Sequence, residues 1–464
     1  RLVGSEMCIR DRGNLSSEAN PYFLFPQIYN FRYNIFSSEW PVANRVIELY
    51  LQKKSENGGW ERQINGISNN EKAVLLLEKR TFKELLVDME LRNLQNNIVG
   101  QEASRLFARA EINMGVEAFR DSLYSLLKRN TFLNIKFENM LDTLGEISRT
   151  DIRSLLGEWE KTTPLPFYSL GEPTLTKITN KGGEEFFVLK MLISNNSDYD
   201  GIIHMDIRKD GWWYQPLEDP RAKTKIEMPA HTSKEFVSVW EDQIRNVEIN
   251  TMVSGNLPNI ISQDINNVKQ ERNKIVKDSI YILPESSFDL PGEIIVDNED
   301  STLFILSAPP IVGLLPKWLD EVEETPFKYS GISWWRPPLQ WTATTNDRYY
   351  GKYIRSAFVI KSGDGSQTAT WKVPVPEVGQ YDLYYHVFKD DELRWNNNLQ
   401  GEYHFKVKYG SEVEDAYVNL RKANEGWEQL GSYYFDSDTI RVVLTDECKL
   451  RSVTADAVKI VKRY

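Results

Sequence analysis

The sequence predicts a multidomain α+β protein in which a helical subdomain precedes a small antiparallel β-sandwich and a larger, jelly-roll-like β-sandwich. Apolar residues recur with a helical period from Trp40 to about Trp159. Two prolines in residues 162–170 then end the helical pattern, and the apolar period beyond them becomes two. We place the helical domain at 13–161, the small sandwich at 162–256, a linker at 257–279 and the last sandwich at 280–464.

The helical subdomain is predicted from apolar stripes at helical spacing. Behind a Thr150-Asp151 start signal, one stripe falls at i, i+3, i+4 and i+7. Two further stripes precede it, and packing between such faces predicts an all-α block. In chain order the stripes are Val116, Phe119, Leu123, Leu126 and Leu127; Phe137, Met140, Leu141 and Leu144; and Ile152, Leu155, Leu156 and Trp159.

The two sandwiches are predicted from short alternating segments separated by Gly, Asn, Asp and Pro turns. In the first they are FFVLKMLISN, GIIHMDIRKD, KTKIEMP, SKEFVSVW and VEINTMVS. The polar segment that follows predicts a linker or one exposed helix. In the second they are EIIVD, RSAFVI, TATWKVP, GQYDLYYHVF, GEYHFKVKYG, DAYVNLR, LGSYYF, TIRVVLTD and ADAVKIV.

Composition narrows the function classes. The chain has 464 residues, 41% hydrophobic and 27% charged, with a net charge of −11. An acidic protein lacks the basic face that phosphate backbones require, so we expect no nucleic-acid partner. No apolar run approaches the roughly 20 residues of a membrane helix, so we expect no membrane segment in this chain.

The first twelve residues, RLVGSEMCIRDR, resemble translated sequencing adaptor, and we expect residues 1–12 to be an artefact outside the fold. The natural N-terminus would then lie upstream, together with any signal peptide, anchor or further domain. Cys448 would be the one remaining thiol, which forms no intrachain disulfide.

No catalytic or metal-binding motif is present in the sequence. The four histidines, His204, His231, His386 and His404, are isolated, and the sequence contains no H-E-x-x-H, G-x-S-x-G or Gly-rich phosphate loop. Structural roles on strands are favoured over metal ligation for His204, His386 and His404. We therefore predict no catalytic residue, no metal and no cofactor within this chain.

Residues 103–170 resemble the C-terminal part of zinc aminopeptidases of the aminopeptidase-N family. The resemblance implies a zinc metallo-aminopeptidase as the full-length parent, with zinc in an upstream domain. The family's transition-state-stabilising tyrosine has its gap-free counterpart near Gly100, which offers no hydroxyl, so the chain is expected to be inert. The matching positions are Gly115, Glu117, Phe119, Asn134, Phe137, Asp151, Trp159, Pro164 and Pro166.

The last domain resembles the carbohydrate-binding-like domain at the C-terminus of golvesin and xanthan lyase. Four motifs agree in order: IIVDNEDSTLF, TATWKVPVPEVGQYDLYYHV, GWEQLGSYYF and ADAVKIV. The resemblance implies an accessory module of an extracytoplasmic bacterial protein, in the periplasm or at the cell surface. Its implied partner is a polysaccharide or a cell-surface glycan.

The candidate ligand-binding residues lie in the loop 333–353 and in DDELRWNNNLQ. Sugar rings stack on aromatic faces while their hydroxyls need hydrogen-bond partners, and both loops mix aromatic with polar side chains. The competing interpretation, that these aromatics cap the sandwich core, is slightly favoured. The candidates are Trp334, Trp335, Arg336, Trp341, Tyr349, Tyr350 and Trp395.

Three further residues are predicted to be structural markers. Asp297 lies in DNED, for which a solvated turn is favoured over a calcium site. Asp456, between two alanines, is expected to accept backbone amides. Trp427 and Leu430 are expected to face the sandwich interior, with Trp427 plugging the core.

Two functional hypotheses follow. In the first, the chain is the non-catalytic C-terminal portion of a cell-envelope protein related to zinc aminopeptidases, with an accessory domain for carbohydrate or surface attachment. In the second, it is a stand-alone carbohydrate-binding or adhesion protein without any peptidase relationship.

Overall fold

The computed structural model describes residues 33–52, 59–180, 182–209, 215–217, 219–265, 267–272, 276–284, 292–307, 327–333, 336–389 and 401–463. The chain divides into two compact units. The first unit comprises Arg1–Asn57, Asn69–Gly255 and Asn259–Ser286, and the second comprises Gly58–Ser68, Asn256–Pro258 and Ser287–Tyr464.

The helices follow the predicted apolar stripes. They are α1 Ala43–Leu51, α2 Gly59–Asn65, α3 Asn69–Lys79, α4 Phe82–Val87, α5 Gln95–Met114, α6 Val116–Arg129 and α7 Phe137–Ser148. The third predicted stripe folds differently, because residues Arg153–Glu160 form a 3-10 helix. Its apolar side chains still face inward: the indole of Trp159 packs edge-on against Trp40, with centroids 5.0 Å apart, and against Phe82 at 4.9 Å.

Short strands connect distant parts of the helical block. Strand β1 (Tyr33–Phe36) pairs in parallel with β2 (Leu133–Lys136), which directly precedes α7. Among the described residues, no helix is both long and apolar enough to cross a bilayer.

The first sandwich completes the first unit. One sheet has the order β11-β10-β6-β7 with β8 on β6, and the other has the order β12-β4-β5-β9-β13 with β3 on β5. Its core contains Met191, Ile203 and Ile249 from the alternating inner positions. The strands are β3 Tyr168–Leu170, β4 Thr174–Thr179, β5 Glu185–Asn195, β6 Gly201–Lys209, β7 Gln215–Pro216, β8 Lys223–Met228, β9 Thr232–Trp240, β10 Ile244–Asn250, β11 Ile260–Asp264, β12 Val268–Arg272 and β13 Ser279–Pro284.

The predicted linker at 257–279 is wrong. Strands β11 and β12 lie within it, β13 begins at its last residue, and all three extend the sheets of the first sandwich. They are edge strands with one neighbour each. The side chains of β11 and β12 are largely polar, so their sequence resembles a linker although the backbone is paired. Strand β13 differs, because it carries exposed apolar side chains at Ile280–Leu283.

A buried ion pair joins the helical block to the first sandwich. Lys225 on β8 contacts Glu111 on α5, and each side chain is only 1% exposed. Tyr50 on α1 donates its hydroxyl to the other carboxylate oxygen of Glu111 at 2.8 Å. The Glu111 carboxylate therefore has charged and neutral donors where water is excluded.

The second unit contains the larger sandwich. Its sheets have the orders β14-β25-β19-β22, β15-β18-β23-β20-β21 and β16-β17-β24. Trp371, Tyr385 and Phe405 lie fully buried at its centre. The strands are β14 Glu293–Val296, β15 Phe304–Ser307, β16 Thr342–Thr345, β17 Ser356–Lys361, β18 Thr368–Pro374, β19 Gly379–Val387, β20 Glu402–Tyr409, β21 Glu412–Asn419, β22 Gly426–Phe435, β23 Thr439–Thr445, β24 Ser452–Ala455 and β25 Val458–Lys462.

Residues from the early part of the chain also belong to this unit. The carbonyl of Gly66, just after α2, accepts a hydrogen bond from Thr345 Oγ1 at 2.6 Å. The multidomain α+β class, with a helical region followed by antiparallel sandwiches, is confirmed.

Candidate functional site

The candidate site lies on the outer face of the sheet β14-β25-β19-β22. Along β19, Leu383, Tyr385 and Val387 point into the core, so Tyr384 and His386 project from the opposite face. This alternation is the one the sequence GQYDLYYHV predicts. Residues opposite them on β22 and β25 share that face.

Trp427 lies on this outer face, and the prediction that it plugs the core is wrong. Its partner across the ladder is His386. The pairing of β19 with β22 shifts between Leu383 and Tyr384, which leaves Leu430 as an extra residue in β22. A one-residue bulge reverses which face the following side chains occupy, so Leu430 packs against the core and Trp427 does not.

The Trp427 ring is partly exposed and is supported on several sides. Its centroid lies 5.0 Å from that of Tyr350 and 5.2 Å from that of His386, whose ring is nearly perpendicular to the indole at 77°. The ammonium of Lys459 lies 4.8 Å from the indole centroid, a cation–π distance. We name Trp427, Tyr350, His386 and Lys459 the aromatic cluster.

Lys459 links the aromatic cluster to the rest of the sheet face. Its ammonium is 3.0 Å from Glu293 on β14 and 5.4 Å from the ring centroid of Tyr384 on β19. The side chain is only 12% exposed. Lys459 is therefore held in place between carboxylate and aromatic neighbours.

A row of polar side chains adjoins the aromatic cluster on β19 and β22. Asp382 Oδ1 accepts hydrogen bonds from Gln429 Nε2 at 3.0 Å and from Ser432 Oγ at 2.5 Å. Arg463 Nε donates to the other oxygen of Asp382 at 2.8 Å. The face thus places fixed donors and acceptors beside aromatic rings.

Asp456 lies beneath the aromatic cluster and is completely buried. Its Oδ2 is 2.8 Å from His386 Nδ1, and the backbone N–H of Tyr350 is 3.2 Å from each carboxylate oxygen. Its own carbonyl accepts a hydrogen bond from the indole of Trp371 in the core at 3.1 Å. Burial raises the pKa of the Asp456 carboxyl, although the charge and hydrogen bond of His386 and the Tyr350 amide lower it.

A second carboxylate acts on Asp456 electrostatically. Burial, and next the charge of Asp456, raise the pKa of Asp297 well above its ordinary value, and Glu299 adds to the increase. Glu299 itself is tied to Lys328 at 2.6 Å and to the hydroxyl of Tyr329 at 3.0 Å. The DNED segment is therefore more enclosed than the solvated turn predicted for it. In the described part of the chain, no group of three or more His, Cys, Asp or Glu side chains could hold a metal ion.

The ligand residues predicted from the sequence lie in different environments in the structure. Trp334, Trp335 and Trp395 lie outside the described residues, and Arg336 is exposed. Trp341 packs against the core, and Tyr349 is 6% exposed with its ring 4.5 Å from that of Phe388. Trp341 and Tyr349 thus match the core-capping interpretation, whereas Tyr350 joins the aromatic cluster.

Sequence reasoning missed His386, Tyr384 and Lys459 as members of a site. The sequence shows that these residues alternate with apolar residues. It does not show which residue of the neighbouring strand pairs with His386. Asp456 does accept a backbone amide as expected, although its partner comes from Tyr350, over a hundred residues earlier.

Comparison with known families concerns this same sandwich. Residues 337–462 match the Golvesin C-terminal domain. The matched range lies within the second unit and includes the aromatic cluster and Asp456. No curated protein sequence matches the chain.

Solved structures give weaker similarities. TmCBM61, described in complex with β-1,4-galactotriose, is 15% identical with a TM-score of 0.16, over 26% of this chain and 77% of its own. A β-glucuronidase of Bacteroides uniformis is 12% identical with a TM-score of 0.19, over 68% of this chain and 32% of its own. At these scores neither similarity bears on function, and the chain spans about a third of the glucuronidase's length.

Proposed function

We propose that the second unit is a glycan-binding accessory domain of an extracytoplasmic bacterial protein, and that Trp427 is its stacking ring. The observation that supports this best is the position of Trp427 on the outer sheet face, partly exposed and held by Tyr350, His386 and Lys459. The match to the Golvesin C-terminal domain over residues 337–462 includes the same residues and supports the proposal.

The chemistry of the face suits a sugar. The C–H faces of a pyranose ring stack on an indole, and an indole fixed by neighbouring rings loses little conformational entropy when it binds. Hydroxyl groups need donors and acceptors within reach, which the Asp382, Gln429 and Ser432 row provides next to the cluster. Such a mixture of aromatic and fixed polar groups is typical of ligand sites.

The loop residues predicted from the sequence define a second candidate surface. Trp334, Trp335, Arg336 and Trp395 remain proposed ligand residues on the same sequence argument. Substitutions at Trp334 and at Trp427 therefore distinguish two candidate locations of the glycan-binding site.

The test uses the full chain in affinity electrophoresis against a panel of neutral and acidic polysaccharides. Trp427→Ala should weaken binding about tenfold, since loss of an aromatic contact and its buried area is worth about 1–1.5 kcal/mol. Tyr417→Ala is the matched control, because Tyr417 is 56% exposed on β21 of another sheet. It should bind like wild type.

Each other outcome has a defined meaning. Wild-type binding by Trp427→Ala together with loss in Trp334→Ala or Trp335→Ala would move the site to the loop. Failure of the unaltered chain to bind any polysaccharide in the panel would refute the glycan proposal.

For the remainder of the chain we propose a supporting role in a cell-envelope protein related to zinc aminopeptidases, based on the pattern in residues 103–170. The alternative is a stand-alone carbohydrate-binding or adhesion protein. Gene sequence upstream of Gly13 distinguishes them: H-E-x-x-H with a downstream Glu favours the first, and a start codon with a signal peptide directly before Gly13 favours the second. Zinc is expected only in such an upstream domain, so the purified chain should contain none by metal analysis.

A further inference from the structure

Asp456 connects the rigid core to both supports of the Trp427 ring. Its backbone carbonyl is fixed by the buried Trp371 indole, and its carboxylate binds the ring of His386 and the backbone of Tyr350. His386 and Tyr350 are two of the groups that contact Trp427. Asp456 itself contacts no solvent, so it influences a ligand indirectly, through His386 and Tyr350.

Both connections depend on the charge of the carboxylate. An ionised carboxylate accepts from His386 and from the Tyr350 amide at once, whereas a carboxamide or a carboxylic acid presents a hydrogen on one side. Two acceptors aimed at two donors therefore fix the ring of His386 and the start of the Tyr350 side chain. Loss of either bond frees one support of the indole.

We propose that Asp456 is the positioning residue of the aromatic cluster: its carboxylate fixes His386 and Tyr350 and, through them, the geometry of Trp427 and glycan binding on this face. The glycan part of this inference rests on the proposed function. The positioning part concerns only residues within the sandwich.

His386 is only 12% exposed, and its ring lies nearly perpendicular to the indole of Trp427 with the centroids 5.2 Å apart. A hydrogen bond to a buried carboxylate is stronger than one between neutral groups, so the contact with Asp456 holds the His386 ring at one angle. The orientation of the Trp427 ring therefore depends on the buried carboxylate.

Other charged and titratable groups surround Asp456. Asp297 acts on it from the end of β14, and Arg355 acts on it from the start of β17. Tyr385 is electrostatically coupled to Asp456 from β19, and Lys459 contacts the Trp427 ring at 4.8 Å. All of these groups are kept in the variants used below.

The first measurement needs no ligand. The chain has 13 tryptophans, so the emission of Trp427 is obtained as the difference between proteins with and without Trp427→Phe. Asp456→Asn should change this difference spectrum, because a carboxamide cannot accept from His386 and from the Tyr350 amide at once. His386→Gln should change it as well, because one support of the indole is replaced.

The control variant is His404→Gln. His404 also pairs with a carboxylate, Asp415 at 2.7 Å, and stacks on an aromatic ring, Tyr417 at 4.8 Å, but it lies on another sheet. His404→Gln should leave the Trp427 emission unchanged. A Trp427 emission that stays as in wild type in Asp456→Asn, or that changes as much in His404→Gln, would overturn the proposal.

The second measurement tests positioning. Asp456→Asn should weaken binding of the polysaccharide identified with the panel about tenfold, the fold-change expected for one buried hydrogen bond to a charged group. A folded Asp456→Asn protein with wild-type affinity would refute the role of Asp456 in binding. If Asp456→Asn does not fold, His386→Gln decides the question, since it removes one support of the indole and should weaken binding. If wild type binds no polysaccharide, the glycan proposal fails, and the Trp427 emission alone still decides whether Asp456 positions the ring.

Discussion

The buried pair Lys225–Glu111 allows a stringent test of how the helical block and the first sandwich are held together. We consider Lys225→Met, which keeps the length of the aliphatic side chain and removes its charge. Glu111 is 1% exposed, and in the variant the hydroxyl of Tyr50 would remain as its hydrogen-bond donor. Removing one member of a buried ion pair typically costs about 3–5 kcal/mol, because the other charge stays desolvated.

The magnitude follows from the geometry. The hydrogen bond from the Tyr50 hydroxyl to the carboxylate is already present in the wild type, so it cannot offset the loss of the charged partner. For a unit of this size, about 3–5 kcal/mol corresponds to a fall in Tm of roughly 6–20 °C. Thermal and urea unfolding, followed by circular dichroism, measure the loss directly.

The double variant Glu111→Gln with Lys225→Met sharpens the test. The carboxamide keeps an acceptor for Tyr50 and carries no charge, so the double variant should recover most of the lost stability. If Lys225→Met alone unfolds at the wild-type temperature, or if the double variant is no more stable than the single one, the interpretation of this pair as a coupled buried interaction is refuted.

Three further predictions concern the second unit. Because the folded-state pKa of Asp297 is raised, the unfolding free energy should fall as pH rises from the ordinary carboxyl value of about 3.9 through the folded value, and Asp297→Asn should flatten this slope in urea titrations at several pH values. Gly66→Ala should destabilise by about 1–3 kcal/mol, since Gly66 has φ +79° and a Cβ would stand 2.4 Å from Ser330 N; a wild-type Tm would contradict this. Phe405→Ala should cost about 3–5 kcal/mol by urea unfolding, since Phe405 is fully buried, and a loss below 1 kcal/mol would show that the core collapses around it.

Much of the fold could be predicted because its signals are local. Apolar spacing placed α6 and α7, and strict alternation placed β5, β6, β18 and β19 close to their observed bounds. Prediction from apolar spacing failed where the local sequence pattern does not determine the helix type or the pairing of a strand. Residues Arg153–Glu160 keep an inward apolar stripe in a tighter helix, and β11 and β12 look polar because they are sheet edges.

The site was less predictable because its members are distant in sequence. Tyr350 and Asp456 are 106 residues apart, and His386 lies 70 residues from Asp456. Only the closed sandwich brings them together. The outward turn of Trp427 depends on the single extra residue at Leu430, which no periodicity of the strand reveals, since a strict alternation from the buried Phe435 would place Trp427 inside.

Each of the two units is built from separate segments of the chain, which affects what proteolytic cleavage or gene recombination would produce. Cutting after Ser286 would leave the first unit whole, yet it would separate the larger sandwich from Gly58–Ser68 and Asn256–Pro258. Those short segments supply backbone bonds to it: the Leu257 amide donates to Tyr353 O at 3.1 Å, and the Leu257 carbonyl accepts from Arg355 at 2.6 Å. The residues after Ser286 therefore form only part of the second unit. A gene fragment that begins after Ser286 would encode the larger sandwich without its two earlier segments.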